Sequence, residues 1–427
     1  MTVSHIAVTS PWRMPGTLAG VLLRYGASVA GPVAVSGAHF LASLIFLHQL
    51  PAREFGLFSF VMVSLSLGLS LSISLISLPL TRSLTLGDGS AIPACFQMNW
   101  MVCIGFAASL LAALLAGGAS LQDATLLALF AGAFTFRCFA RALAFVESRA
   151  TAAIRSDLTY SLVLIGSLGM LAAWDSVSFV WSSGALLLSA LAALLPFGAA
   201  FFRGQLAALK GDPRAYLPIF RDVTRWSLSG AVLTELTINA HAYLVTFIAG
   251  PGAFALLALG MLLMRPASLT QLALTDLERP AMARAMGQGD RAALTRIRRH
   301  FTCGLGAAWL VNILLCVLLL AFFPSLVVRQ DYSMENVIIV VSLCALIVAM
   351  RSLRTPQAAL LQAAGRFKEL AVIGAASAIV SLLATVSLLS LAGPIASLGG
   401  IVLGELVILA LCFADVRCWK PAEAGHD

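Results

Sequence analysis

Twelve long apolar stretches, joined by segments that alternate between arginine-rich and arginine-poor, leave this chain of 427 residues few ways to fold. Each stretch approaches the ~20 residues that carry an α-helix across ~30 Å of hydrocarbon at ~1.5 Å per residue. The expected spans are 25–47, 56–78, 94–117, 124–146, 158–174, 177–202, 226–249, 253–275, 301–323, 336–352, 370–391 and 395–415. Of the 27 Lys and Arg residues, all but Arg53 and Arg329 fall in the tails, in the even-numbered loops or at the helix ends that feed them. Basic segments resist translocation, so that side is expected in the cytoplasm, with both termini inside and the chain a multi-pass protein of the inner membrane.

Composition agrees. With 60% hydrophobic residues, 11% charged and a mean hydropathy of +0.96, no water-soluble surface can be assembled. The net charge of +8 is spread over short loops with no aromatic-studded basic domain, which argues against nucleic acid and for membrane lipids as its counterpart. The eight cysteines lie almost entirely within apolar runs, show no C-x-x-C pair or grouping with histidine, and read as small packing residues. No metal site or cofactor is expected, and without a G-x-x-x-x-G-K-[ST] loop nothing suggests an ATPase.

The longest cytoplasmic connections are 203–225 and 276–300, and the first divides the chain into halves of six spans. The expected organisation is an N-terminal tail (1–24), an N-lobe (25–202), a linker (203–225), a C-lobe (226–415) and a C-terminal tail (416–427). An offset of about 200 residues aligns Leu50-Pro51-Ala52-Arg53-Glu54-Phe55-Gly56 with Gly250-Pro251-Gly252-Ala253-Phe254-Ala255. It also aligns Pro79, Arg82 and Gly87-Asp88 with Pro280, Arg284 and Gly289-Asp290, and Arg137 and Arg141 with Arg351 and Arg354. An even number of spans between copies gives both the same orientation, so the fold class is all-α, two six-helix lobes related by a parallel pseudo-twofold repeat.

The run His48-Gln49-Leu50-Pro51-Ala52-Arg53-Glu54-Phe55-Gly56-Leu57 resembles the first hairpin of the polysaccharide-biosynthesis flippases, in the multidrug/oligosaccharidyl-lipid/polysaccharide exporter superfamily. Glu278-Arg279-Pro280-Ala281-Met282-Ala283-Arg284 with Gly289-Asp290 resembles their loop after the eighth helix. Leu360-Leu361-Gln362-Ala363-Ala364-Gly365-Arg366-Phe367-Lys368 resembles the loop between helices ten and eleven. The resemblance implies a carrier, not an enzyme, that moves a polyprenyl-diphosphate-linked oligosaccharide to the outer leaflet by alternating access, in company with other polysaccharide assembly proteins. A multidrug cation antiporter of the same architecture and a membrane glycan polymerase or ligase are the competing readings. An acidic cavity would suit the former and a large external loop the latter.

An anionic headgroup calls for cations that stay charged and bind phosphate oxygens in pairs, which is arginine chemistry. Arg137 and Arg141, one turn apart on one helix face, and Arg351 with Arg354 are the candidate substrate ligands; the other reading of each pair is an anchor that snorkels to the interface. Glu235 and, one turn on, Asn239 in the seventh span are candidates for coupling to a cation, H+ or Na+. A protonated Glu235 bonded to a neighbouring helix is the structural alternative. Glu405, beside Gly404, reads as packing, and His39 and His241 as interhelical donors. Gly31 and Pro32 in the first span read as a kink or a hinge.

Overall fold

The computed structural model describes residues 18–77, 79–80, 92–147, 149–326, 332–364 and 366–418, and these form helices joined by short turns, with no strand among them. Arg82 and Gly87-Asp88 lie outside the described residues. The chain divides into two compact units, one drawing on the sequence up to Ile45 and on Gly68–Leu228, the other on Phe46–Leu67 and on the sequence from Ser229 onward.

In the first unit, α1 (Leu18–Gln49) and α2 (Ala52–Ser72) contribute the parts outside Phe46–Leu67, followed by α3 (Ile92–Ala116), α4 (Leu121–Val146), α5 (Ala150–Ala173), α6 (Phe179–Ala192) and α7 (Gly198–Ala208). Local chemistry fixes their starts. Ser120 accepts the Asp123 N–H at 3.1 Å and returns its own proton to the Asp123 carboxylate at 2.6 Å, closing the first turn of α4. Ser178 caps α6 through the Trp181 N–H. The sixth span is a broken helix, interrupted at Leu195-Pro196-Phe197, where proline removes a backbone donor. Residues 203–225 form helical turns fastened to this unit rather than a loose strap. Trp100 donates to the Gln205 carbonyl at 3.0 Å and Gln97 to the Gly211 carbonyl at 2.9 Å, while the Tyr216 hydroxyl reaches the Leu75 carbonyl and Thr224. Burial pushes the Tyr216 phenol up to about 12, so the hydroxyl keeps its proton and this peg holds at physiological pH.

The second unit contains most of α8 (Arg225–Ile248), then α9 (Pro251–Leu263), α10 (Arg265–Gly287), α11 (Arg291–Phe322), α12 (Met334–Ala363), α13 (Phe367–Ala392) and α14 (Leu398–Cys418). The eighth span, expected as one helix, is two, bent by 53° between Leu263 and Arg265. Pro266 enforces the break, because its ring lacks an N–H and clashes with the carbonyl four residues back. Asn312 of α11 donates to the Leu263 carbonyl at 3.1 Å, satisfying a group left over where no water is at hand. Gly250 (φ +89) and Pro251 turn α8 into α9; Gly289 (φ +68) ends α10, and Asp290 caps α11 by accepting the Ala293 N–H at 2.8 Å. The Gly-Asp pair singled out in the sequence is therefore a helix stop followed by a helix start.

The two aligned hairpins meet within this second unit. A Cβ added at Gly56 would collide with the Pro251 carbonyl, so the start of α2 and the start of α9 approach backbone to backbone. Among the described residues, ten helical stretches, plus the bent pair as an eleventh, have the length and apolarity to cross a membrane. With α8, whose stretch Ile238–Ile248 is shorter but apolar, they cover the twelve expected spans.

Candidate functional site

Two arginine–carboxylate clusters, one in each unit, hold four of the six candidate residues. In the first, α4 carries Arg137 and Arg141 and α5 carries Asp157. Arg137 donates from Nη2 to one Asp157 oxygen and from Nε to Ser156 at 3.1 Å; Arg141 Nε takes the other oxygen at 2.9 Å. The guanidinium of Arg137 also lies 4.9 Å from the Tyr160 ring centre and 5.3 Å from that of Phe134, a cation–π setting. Its side chain is 2% exposed against 28% for Arg141, so Arg137 is enclosed and Arg141 is the accessible member of the pair. Gly31 of α1 borders the same carboxylate: a Cβ there would run into Asp157, so this glycine makes room for the ion pair. His39 meets the Tyr160 hydroxyl at 2.7 Å, the interhelical role expected of it.

The second cluster uses α12 and α14. Arg351 Nε binds one oxygen of Glu405 at 2.6 Å and Arg354 Nε binds the other at 2.7 Å. Glu405 is 3% exposed, and its role is to bridge two guanidiniums, not the plain packing expected beside Gly404. That neighbouring glycine still matters. Gly400 and Gly404 lie against Thr385 and Ser381 of α13, and Ser377 donates to the Gly404 carbonyl at 2.8 Å, a small-residue contact that lets α14 sit close and sets Glu405 in register. Each cluster sets two guanidiniums against one carboxylate and so carries one positive charge in excess.

The clusters differ in what lies in front of them. Arg351 and Arg354 line a cavity of about 330 Å³, together with Gln362 of α12 and Ser268, Gln271 and Thr275 of α10, whereas Glu405 stands behind them and does not line it. Because Glu405 engages both arginines through Nε, it fixes the planes of the guanidiniums while their Nη groups remain for other partners. A cavity of about 370 Å³ in the first unit, between α3, α4 and α6, is apolar, walled by residues such as Trp100, Ile104, Phe136 and Leu191, and is lined by neither Arg137 nor Arg141.

Glu235 and Asn239, on α8, form a third group. Glu235 is 6% exposed, and one carboxylate oxygen accepts from Ser66 of α2 at 2.6 Å, from Asn239 at 2.6 Å and from Tyr243 at 3.5 Å. Asn239 also donates to Ser66 at 2.9 Å. These partners are neutral, which distinguishes this carboxylate from Asp157 and Glu405. Through Ser66 the serine-rich second span takes part in this group. His241, in contrast, leaves its Nε2 without a hydrogen-bond partner among the described residues, against the expectation of a satisfied interhelical donor.

Asp157 was not among the candidates. Its signal was the pairing of a carboxylate with two upstream arginines, hidden because hydropathy placed the start of the fifth span after it.

The fold built by these helical spans is one shared with solved membrane transporters. Among solved structures, a multidrug resistance MATE family transporter in an inward-facing conformation aligns over 92% of this chain and 97% of its own, with a TM-score of 0.64 and 14% identity. A eukaryotic MATE transporter aligns over 93% and 94% with a TM-score of 0.59 and 13% identity. The lipid II flippase MurJ aligns over 92% and 88%, with a TM-score of 0.59 and 11% identity. No protein-family model matches the chain, and no curated protein does.

Proposed function

We propose that this protein is a flippase for an anionic, polyprenyl-diphosphate-linked oligosaccharide, working by alternating access in the cytoplasmic membrane for cell-surface polysaccharide biosynthesis. The observation that carries the reading is the cavity faced by Arg351 and Arg354, whose shared carboxylate lies behind them. A diphosphate brings oxygens that paired guanidiniums bind, and the surplus positive charge favours it over a cationic drug. Arg141 supplies a second accessible cation in the first unit, while enclosed Arg137 orients Asp157 and through it Arg141. Glu235, held by Ser66, Asn239 and Tyr243, is the group that exchanges a proton or binds a cation during the cycle.

The test is translocation of lipid-linked oligosaccharide in proteoliposomes, with cells lacking the protein as the companion experiment. Arg351→Gln and Arg354→Gln should each lower the rate at least tenfold at unchanged protein level, and deletion should leave lipid-linked oligosaccharide facing the cytoplasm. Glu235→Gln should remove the response to an imposed ion gradient. Full translocation in both arginine variants would sink the headgroup role. Loss of drug resistance with normal glycan export would favour the multidrug reading that the MATE likeness raises.

A further inference from the structure

The cavity in front of Arg351 and Arg354 has a second wall whose hydroxyl oxygens phosphate does not use. The Thr355 hydroxyl donates to the Arg351 carbonyl at 2.7 Å, that of Thr275 to the Gln271 carbonyl at 2.7 Å, and that of Ser268 to the Met264 carbonyl at 3.3 Å. A hydroxyl has one proton and two lone pairs, so each of these oxygens, its proton spent on its own helix, is left with acceptor capacity alone. Gln271 Nε2 donates to Thr355 at 2.7 Å, tying α10 to α12 across the groove and spending one of the two N–H bonds of its amide. Ser268 and Thr275 are two turns apart on α10, about 10 Å at ~1.5 Å per residue.

An ionised phosphate presents acceptors alone, so the hydroxyl oxygens of this wall offer it nothing, and the remaining N–H of Gln271 is the one donor it can use there. A cationic drug could donate to the wall but would meet two guanidiniums. Both sides are satisfied by one molecule with an anionic end and, next to it, a ring bearing hydroxyl donors. We propose that the cavity is a sugar-phosphate subsite: Arg351 and Arg354 take the phosphate, and Ser268, Gln271, Thr275 and Thr355 take the hydroxyls of the first sugar joined to it. The assignment rests on the headgroup reading above and adds the residues that distinguish a glycosyl phosphate from phosphate alone. A site built to bond hydroxyls discriminates strongly against a ligand lacking them, because its polar groups are then left unpaired.

The test is calorimetric titration of the full-length protein in lipid nanodiscs with inorganic phosphate and with the 1-phosphates of glucose, galactose and N-acetylglucosamine. At least one sugar phosphate should bind about tenfold tighter than inorganic phosphate, the increment of one or two hydrogen bonds. Gln271→Leu and Thr355→Val should erase that preference, weakening the sugar phosphates far more than inorganic phosphate. Ser268→Ala, at an exposed position that tolerates change, should reduce it, which guards against misfolding of the other two. Equal affinity for all four probes, or a preference that survives the three substitutions, overturns the subsite. Arg351→Gln should weaken every probe; if it weakens none, the headgroup reading itself falls, and the sugar assignment with it.

Discussion

At the scale of single residues, the first unit turns on Asp157. Arg137 is enclosed, and removing the one carboxylate that balances it leaves a cation in a medium that cannot solvate it. Asp157→Asn should therefore cost about 3–5 kcal/mol, read as a large fall in melting temperature in detergent. Arg141→Gln should cost far less, because Arg141 is part-exposed and Asp157 keeps its partner in Arg137. Equal melting of Asp157→Asn and the parent protein would show that Arg137 finds another counter-charge. The four arginines and Glu235 were legible in the sequence as charges within or beside apolar spans. Asp157, which joins the first arginine pair, was not, for a definite reason: hydropathy ends a span where charge begins. That placed the start of the fifth span at 158 and the end of the tenth at 352, whereas α5 begins at Ala150 and α12 continues to Ala363. Asp157 sat in the trimmed turn of α5, where helical phase no longer assigned it a face, while Arg354 stood just past the assigned end of its span and was still found.

At the scale of elements, the two broken spans carry their explanation in plain view, since Pro196 and Pro266 fall at the breaks. A proline does not announce whether it kinks a helix or divides it. Pro32 and Pro356 remain inside α1 and α12, while Pro266 ends one helix and starts another with Asn312 to satisfy the carbonyl at the break. The glycines are clearer once their neighbours are known. Gly31, read with Pro32 as a kink or a hinge, yields space to Asp157, and Gly400 and Gly404 yield it to α13. Gly404→Leu should force α13 and α14 apart and cost about 1–3 kcal/mol from overpacking alone. Because Glu405 is the next residue, the same substitution should also disturb Arg351 and Arg354. A Gly404→Leu protein that melts normally and binds phosphate like the parent would separate helix packing from the arginine cluster.

At the scale of the whole molecule, the alternation of arginine along the chain makes one further prediction, about orientation. Moving a positive loop outward against a potential negative inside costs about 2.3 kcal/mol per charge at 100 mV, and the segment between α10 and α11 is reinforced by Arg279, Arg284, Arg291, Arg296, Arg298 and Arg299 at the flanking helix ends. The turn at 392–394 bears no charge at all. An alkaline phosphatase inserted at that turn should thus be active, while one fused after residue 427 should be inactive and a green fluorescent protein there should fluoresce. The prediction matters for mechanism because it decides which end of α12 meets the cytoplasm. Arg351, Arg354 and Gln362 lie in the second half of that helix, so a cytoplasmic C-terminus puts the cavity on the side where lipid-linked sugars are made. Phosphatase activity at the C-terminus would turn the cavity to the outer face, and a glycan synthesised inside would then have to reach it by some other route.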